Sequence, residues 1–347
     1  MTTMEMSAPA APDLAAAQTV FQLATGYIAS AALHAATRLK VADRLASGPA
    51  NIETLARELG VKADPLYRVM RALASVGVFE ERGSRTFALN AAATLLRSES
   101  GSLRDIAMFL TDPLHFRAYG DMMHAIATGQ PSVEHVTGMP MFEYFAQNFE
   151  ESSLFNDAMT SMSAAIMPAV LKAYDFNGID VLADIAGGHG RVLASILQQY
   201  PRMRGILFDL EHVVLGAPVR MAEMGVTQRC TTMAGDFFKT VPAGADAYLM
   251  KHIIHDWDDD KALVILRNIR TALEGRANGR VLLIEAVIAP GNQPDLGKLV
   301  DLEMMLMPGG RERTAEEFAA LFARAGLELT RIVPTESLLS VIEARPR

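Results

Sequence analysis

From residue 178 onward, short apolar runs alternate with longer stretches whose apolar residues recur every three or four positions. The runs VLADIAG, GILFDL, CTTMAGDFF, DAYLMKHI and RVLLIEAVI read as strands, and RVLASILQQY, VVLGAPVRMAEMG and DDKALVILRNIRTAL as helices. Such alternation predicts an α/β domain with a parallel sheet covered on both faces. A helix around 314–325 then precedes ELTRIVPT and LLSVIEAR, extended segments close enough to pair antiparallel.

The earlier chain follows a different rhythm. Between about 18 and 47, Val20, Leu23, Ile28, Leu33, Leu39, Val41 and Leu45 fall at mostly helical intervals. The next segment, NIETLARELGVKADPLYRVMRALASVGVFEERGSRTFALN, predicts a short helix, a turn at Gly60, a second helix from about Asp64 to Val76, and two short strands around Gly83. Helix, turn, helix and hairpin make the outline of a winged helix. The second helix, with Lys62, Arg68 and Arg71 around it, could read DNA, or the unit could be a dimerisation or lid module. Residues 102–177 are helical in pattern and rich in Met, Phe and His. These side chains suit a core, and a polarizable methionine lining also suits a flat aromatic ligand. Residues 1–17, MTTMEMSAPAAPDLAAA, read as a frayed tail, leaving a winged-helix-like unit over 18–101, a helical linker and pocket region over 102–177, and the α/β domain over 178–347.

Composition narrows the partners. The chain has 347 residues, half of them apolar, and a formal net charge of −8, which argues against a general polyanion binder. No apolar run approaches the ~18 residues of a membrane span. A single cysteine, Cys230, cannot form an internal disulfide, and the N-terminus lacks the basic residues that open a signal peptide. The expectation is a cytoplasmic protein with no membrane and no nucleic-acid partner.

The candidate chemistry sits at the strand ends, where open α/β sheets bind ligands. The loop LADIAGGHGRVL lacks the Gly-Lys-Ser/Thr of a phosphate loop. It also fails the dinucleotide fingerprint, since reading Gly188 and Gly190 as its first glycines puts Leu193 at the third. It remains a loop whose glycines admit a nucleoside closely, with helix N–H groups free for a carboxylate. Asp184 would suit an ammonium or a well-placed water, Asp209 the hydroxyls of a ribose, and Asp236 with Phe237 an adenine. Together they describe an adenosine with an amino-acid tail and no phosphate, which is S-adenosylmethionine.

The stretch MKHIIHDWDDDKAL adds an acid-flanked histidine at a strand end. His252, His255, Asp256 and Asp258 could compose a metal site, but two of those ligands would come from an ordinary helix start. A structural histidine and a general base are the other readings. Asp256, Asp258, Asp259 and Asp260 read as capping the following helix and complementing its positive end, a role worth ~1 kcal/mol, and Trp257 as packing, with contact to the adenine as the alternative.

In order and spacing, DIAGGHG, FDL, GDFF, KHIIHDWDDD and PGGRERTAEEF resemble the plant-type small-molecule O-methyltransferases, a family that includes caffeate, hydroxyindole and phenazine methyltransferases. The resemblance covers nearly the whole chain. It implies a Rossmann-like class I methyltransferase domain, a homodimer built through the winged-helix region, S-adenosylmethionine as cofactor and an aromatic acceptor; no metal is expected, because the acidic strand ends are spaced as single nucleoside contacts rather than as a cluster. It also implies His255 as the base, flanked by Glu285 and Glu312. The cofactor set becomes Asp184, Gly187, Gly188, Gly190, Asp209, Leu210, Asp236, Phe237 and Lys251, and the acceptor set Phe155, Met159, Met304 and Met305. One residue departs from the pattern: the second position after the aspartate is Ala186, where the family has glycine. A phenol ionises near pH ~10 and an imidazole near ~6.5, so a neutral histidine can take the phenolic proton. Some relatives use the same fold and cofactor for hydroxylation or decarboxylation, and a DNA-binding regulator that senses the cofactor would share the outline.

Overall fold

The structure, a computed structural model, describes residues 13–99 and 102–347. The chain divides into two compact units, Met1–Asp112 and Pro113–Arg347.

The first unit opens with the helix Leu14–Arg38, so residues 14–17, expected in the tail, are helical; residues 1–12 of that tail lie outside the described residues. Asp13 explains the early start, because its carboxylate accepts from the N–H groups of Ala15 and Ala16 ahead of an alanine-rich turn. The expected helix, turn, helix and hairpin follow as Ile52–Leu59, Gly60, Ala63–Ser75, β2 (Glu80–Glu81) and β3 (Thr86–Ala88). A short preceding strand, β1 (Ala50–Asn51), completes an antiparallel sheet of order β1-β3-β2. Gly60 closes its helix at φ 69°, a left-handed angle that glycine takes without strain. Ile52, Leu55, Leu66, Met70, Leu73 and Phe87 form the core. The N-terminal half of the first helix, by contrast, leaves Leu14, Val20, Phe21, Leu23, Tyr27 and Ile28 exposed. The helix Arg104–Leu110 belongs to this unit, beyond the boundary at 101 that the sequence pattern suggests.

The second unit holds seven strands: β4 (Val181–Ile185), β5 (Arg204–Asp209), β6 (Cys230–Ala234), β7 (Ala247–Lys251), β8 (Arg280–Glu285), β9 (Leu327–Pro334) and β10 (Ser340–Pro346). Their order is β6-β5-β4-β7-β8-β10-β9, with parallel pairing from β6 through β8. Only β10 runs against its neighbours, pairing antiparallel with both β8 and β9. Side chains alternate across a strand, so on β7 Leu249 joins one core layer while Tyr248 and Met250 join the other. Burial on both faces is why the inner strands β4, β7 and β8 read as mainly apolar runs, while the edge strands β6 and β9 are partly exposed. Glu343 pins β10 from within, accepting from Tyr174 Oη at 2.5 Å and Arg331 Nη2 at 2.8 Å.

Two elements differ from the pattern. The strand expected over CTTMAGDFF stops at Ala234, leaving Asp236 and Phe237 in the turn beyond it. The single helix expected over VVLGAPVRMAEMG is two, Glu211–Val214 and Ala217–Glu223, because Pro218 at the second start has no N–H to continue the first. Among the described residues, no helix is long and apolar enough to cross a membrane.

Candidate active site

The loop after β4 and the acid at the end of β5 form one bonded unit. Gly188 N–H donates to Asp209 Oδ2 at 2.8 Å, and Leu210 N–H to Asp209 Oδ1 at 2.7 Å. Burial raises the Asp209 carboxyl and these N–H bonds pull it back. Gly187 has no room for a side chain, since a Cβ would lie 2.5 Å from Leu207 and 2.6 Å from Asp184 Oδ2. Ala186 holds φ 55°, an angle that costs an L-residue ~1–2 kcal/mol and explains why glycine suits the position. Gly190 begins the helix Arg191–Gln199.

Asp184 is the buried acid of this loop. Its Oδ2 has no hydrogen-bond partner, and burial pushes its pKa up to about 7. An ammonium donor would satisfy that oxygen, so the residues present fit an amino-acid-tailed nucleoside. Gly235 N–H bonds to Asp209 O at 2.9 Å and so brings the turn of Asp236 and Phe237 beside β5. Asp236 accepts from Phe238 N–H at 2.9 Å and pairs with exposed Lys239 at 3.2 Å. Phe237 opens a series of neighbouring rings through Trp257 and Phe142 to Phe155, with centroids 5.8–6.2 Å apart at successive contacts. Phe142 lies in the Met- and Phe-rich stretch whose pattern suits a core or an aromatic pocket, though nothing in that pattern singles it out, and Trp257 stands between it and Phe237. The indole Nε1 of Trp257 is buried without a partner.

At the end of β7 the charges gather. Lys251 is depressed to about 8 by burial, against the pull of Asp184, Asp256 and Glu285. A short turn then brings His255 under Glu312, whose Oε1 sits 2.7 Å from His255 Nδ1 with both side chains buried. Asp256 Oδ1 lies 3.5 Å from the other ring nitrogen, Nε2. Of the four acids expected to serve the following helix, Asp258 caps it, accepting from Lys261 N–H, and Asp259 and Asp260 lie in its first turn, while Asp256 turns inward to the histidine. Glu285 departs from expectation too: its Oε1 accepts from the backbone N–H groups of Ile253 and Ile254 rather than from the imidazole. His252 stacks on His255 at 4.8 Å, and burial with Lys251 beside it keeps its pKa well below the ordinary value. For His255 burial pulls the pKa down, but Asp256, Glu312 and Glu285 outweigh it and raise the ring to about 9.

Two of the methionines expected around an acceptor lie on a helix that is bonded to this cluster. Gly297–Leu306 carries Met304, buried, and Met305, half-buried, and its Asp301 accepts from Glu312 N–H at 2.8 Å. Phe155 and Met159 lie on the helix Phe149–Ala173, with Phe155 5.2 Å from Phe145. Ligand atoms of His255, Glu285 and Glu312 fall within 4.8 Å of one another, as do those of Asp121, His124 and His135. In the second group the two rings stack with 1° between their planes, so their in-plane lone pairs do not converge on one ion.

The family model described as an O-methyltransferase domain matches residues 119–328, and that described as an O-methyltransferase dimerisation domain matches residues 21–99. The chain is 42% identical over 328 residues to the phenazine O-methyltransferase PhzM of Lysobacter antibioticus, covering 94% of this chain and 95% of that protein. It is 32% identical over 333 residues to the phenazine-1-carboxylate N-methyltransferase of Pseudomonas aeruginosa, covering 95% and 98%. The crystal structure of CalO1, a methyltransferase of calicheamicin biosynthesis in its S-adenosylhomocysteine-bound form, superposes with a TM-score of 0.86 at 34% identity, covering 97% of this chain and 100% of that one.

Proposed function

Because the chain belongs to the O-methyltransferase family and is an S-adenosylmethionine-dependent methyltransferase, we propose that it methylates a phenolic hydroxyl of an aromatic small molecule with His255 as general base. One observation carries this reading: Glu312 holds His255 Nδ1 at 2.7 Å in a buried site, so that Nε2, 3.5 Å from Asp256 Oδ1, is the nitrogen that receives a proton. Bound S-adenosylmethionine supplies an electrophilic methyl group on a sulfonium. The chain's own residues bind, orient and exclude water. Asp209, with Leu210 beside it, takes the ribose hydroxyls, Asp236, Phe237 and Lys251 the adenosine, and Asp184 with the loop of Gly187, Gly188 and Gly190 the amino-acid tail. Phe155, Met159, Met304 and Met305 hold the planar acceptor, Glu312 orients the base, and Glu285 fixes the turn that carries it.

The Pseudomonas relative is named for transfer to nitrogen, which makes amine methylation the second reading. A ring nitrogen with a free lone pair needs no base, so the carboxylate-held imidazole favours oxygen. Labelled S-adenosylmethionine incubated with phenols, hydroxyindoles, polyketides and phenazines, with and without EDTA, decides between them. Transfer to hydroxyls unaffected by EDTA is expected; transfer to nitrogen alone would replace the proposal.

Cofactor affinity tests the ribose assignment. Asp209→Ala is expected to weaken binding by ~1–3 kcal/mol, the range for lost hydrogen bonds to a charged group. Calorimetry showing unchanged affinity would move the ribose elsewhere. Assembly is tested separately. The chain carries the dimerisation domain, and we read the exposed apolar residues from Leu14 to Ile28 as the surface that a second copy covers. Light scattering should give twice the chain mass at micromolar concentration, and a stable monomer there would remove the homodimer.

A further inference from the structure

Resting on His255 as the base, we propose that Arg313 is the positioning residue that sets the place of that base in the site. Its side chain is 1% exposed, and a buried guanidinium needs partners for all five of its N–H donors. Each has one. Nη1 donates to Ile254 O at 3.1 Å and Arg311 O at 3.3 Å, and Nη2 donates to Trp257 O at 3.0 Å and Asp259 Oδ1 at 2.9 Å. Nε adds a second bond to Asp259 Oδ1 at 3.2 Å. The fork therefore grips the turn one residue before His255 and two residues after it, and ties both points to the start of the next helix.

The other end of Arg313 is fixed to the chain beyond β8, where its carbonyl accepts from Ile288 N–H at 3.1 Å. Its neighbour Glu312 bonds the imidazole, and Arg311 N–H donates to His255 O at 2.8 Å. One side chain thus registers the base and its carboxylate against a common frame. A lysine keeps the charge but offers three donors from a single point, so it cannot serve the carbonyls of Ile254 and Trp257 together with Asp259.

The test is Arg313→Lys in the full chain, made in the wild-type and the His255→Ala backgrounds. Melting temperature, S-adenosylmethionine affinity, kcat and KM, and the pH–rate profile are measured on an acceptor from the panel above. Cofactor affinity should stay within about twofold, while kcat falls about 10²-fold, the scale of a 1 Å misplacement. The acid limb of the profile should move, and in His255→Ala the second substitution should cost almost nothing, because groups acting as a unit are not additive. Should Arg313→Lys fail to fold, Asp259→Asn at the half-exposed end of the clamp decides, with the same signature at a smaller loss. An unchanged kcat in whichever variant folds, or an equal loss in both backgrounds, overturns the proposal. Wild-type turnover in His255→Ala alone marks failure of the base assignment, and the positioning role falls with it.

Discussion

Turnover on the true acceptor is expected to fall about 10²–10⁴-fold in His255→Ala, the contribution of a positioned proton acceptor. Cofactor affinity should change little, since Asp184, Asp209 and the loop of Gly188 lie on β4, β5 and their turns. The pH dependence gives the prediction its sign. Burial opposes the charged ring, yet the surrounding carboxylates hold it at about 9, so the neutral, proton-accepting form becomes the majority only above that value. Turnover should therefore rise with pH through about 9 and level beyond it, and His255→Ala should lack this limb. The loss should be partly rescued in strong base, where the acceptor ionises unaided. Stability runs the other way: a raised pKa means that the folded state favours the protonated ring. That contribution is complete below the unfolded value near ~6.5 and disappears as pH rises through the folded one. A His255→Ala enzyme with wild-type kcat at neutral pH would end the assignment.

Gly310→Ala should be nearly as severe by a different route. A Cβ there would lie 2.0 Å from His255 O, 2.3 Å from Asp256 C and 2.5 Å from Trp257 N. All three are backbone atoms, so no side chain can swing aside. The two segments must part, and the bond from Arg311 N–H to His255 O is lost. We expect kcat to drop about 10²-fold, with a stability loss of ~1–3 kcal/mol from overpacking. Gly120→Ala is the control, because nothing lies within 4 Å of its Cβ. Wild-type turnover and melting temperature in Gly310→Ala would mean that the two segments can separate without consequence for the base.

The sheet was legible because strands buried on both faces must be apolar throughout, and the loops at their ends carry glycines and acids that a core would not use. Local sequence could not reveal pairing across distance. Arg313 reaches the His255 turn from 56–59 residues away, and no periodicity connects the two. Asp256 was hidden differently, in a run of acids whose members look alike. A single short turn points it at His255 while Asp258 caps the helix. Glu285 shows the same limit: its place at the end of β8 was readable, but its choice of backbone N–H groups over the imidazole was not.

The position of β10 has a consequence for assembly order. It follows β8 and β9 in sequence yet lies between them, and its Ser340 is registered opposite Glu285. Until β10 docks, β8 ends in an unpaired edge and β9 has no neighbour through which to join the sheet. Such an intermediate exposes apolar strand edges, the form most prone to pair with another chain. The strand that closes this gap also covers the free edge of the one bearing Glu285, whose other edge is paired with β7. During refolding, catalytic competence should therefore be the last property recovered, after most of the helical and sheet signal has already returned.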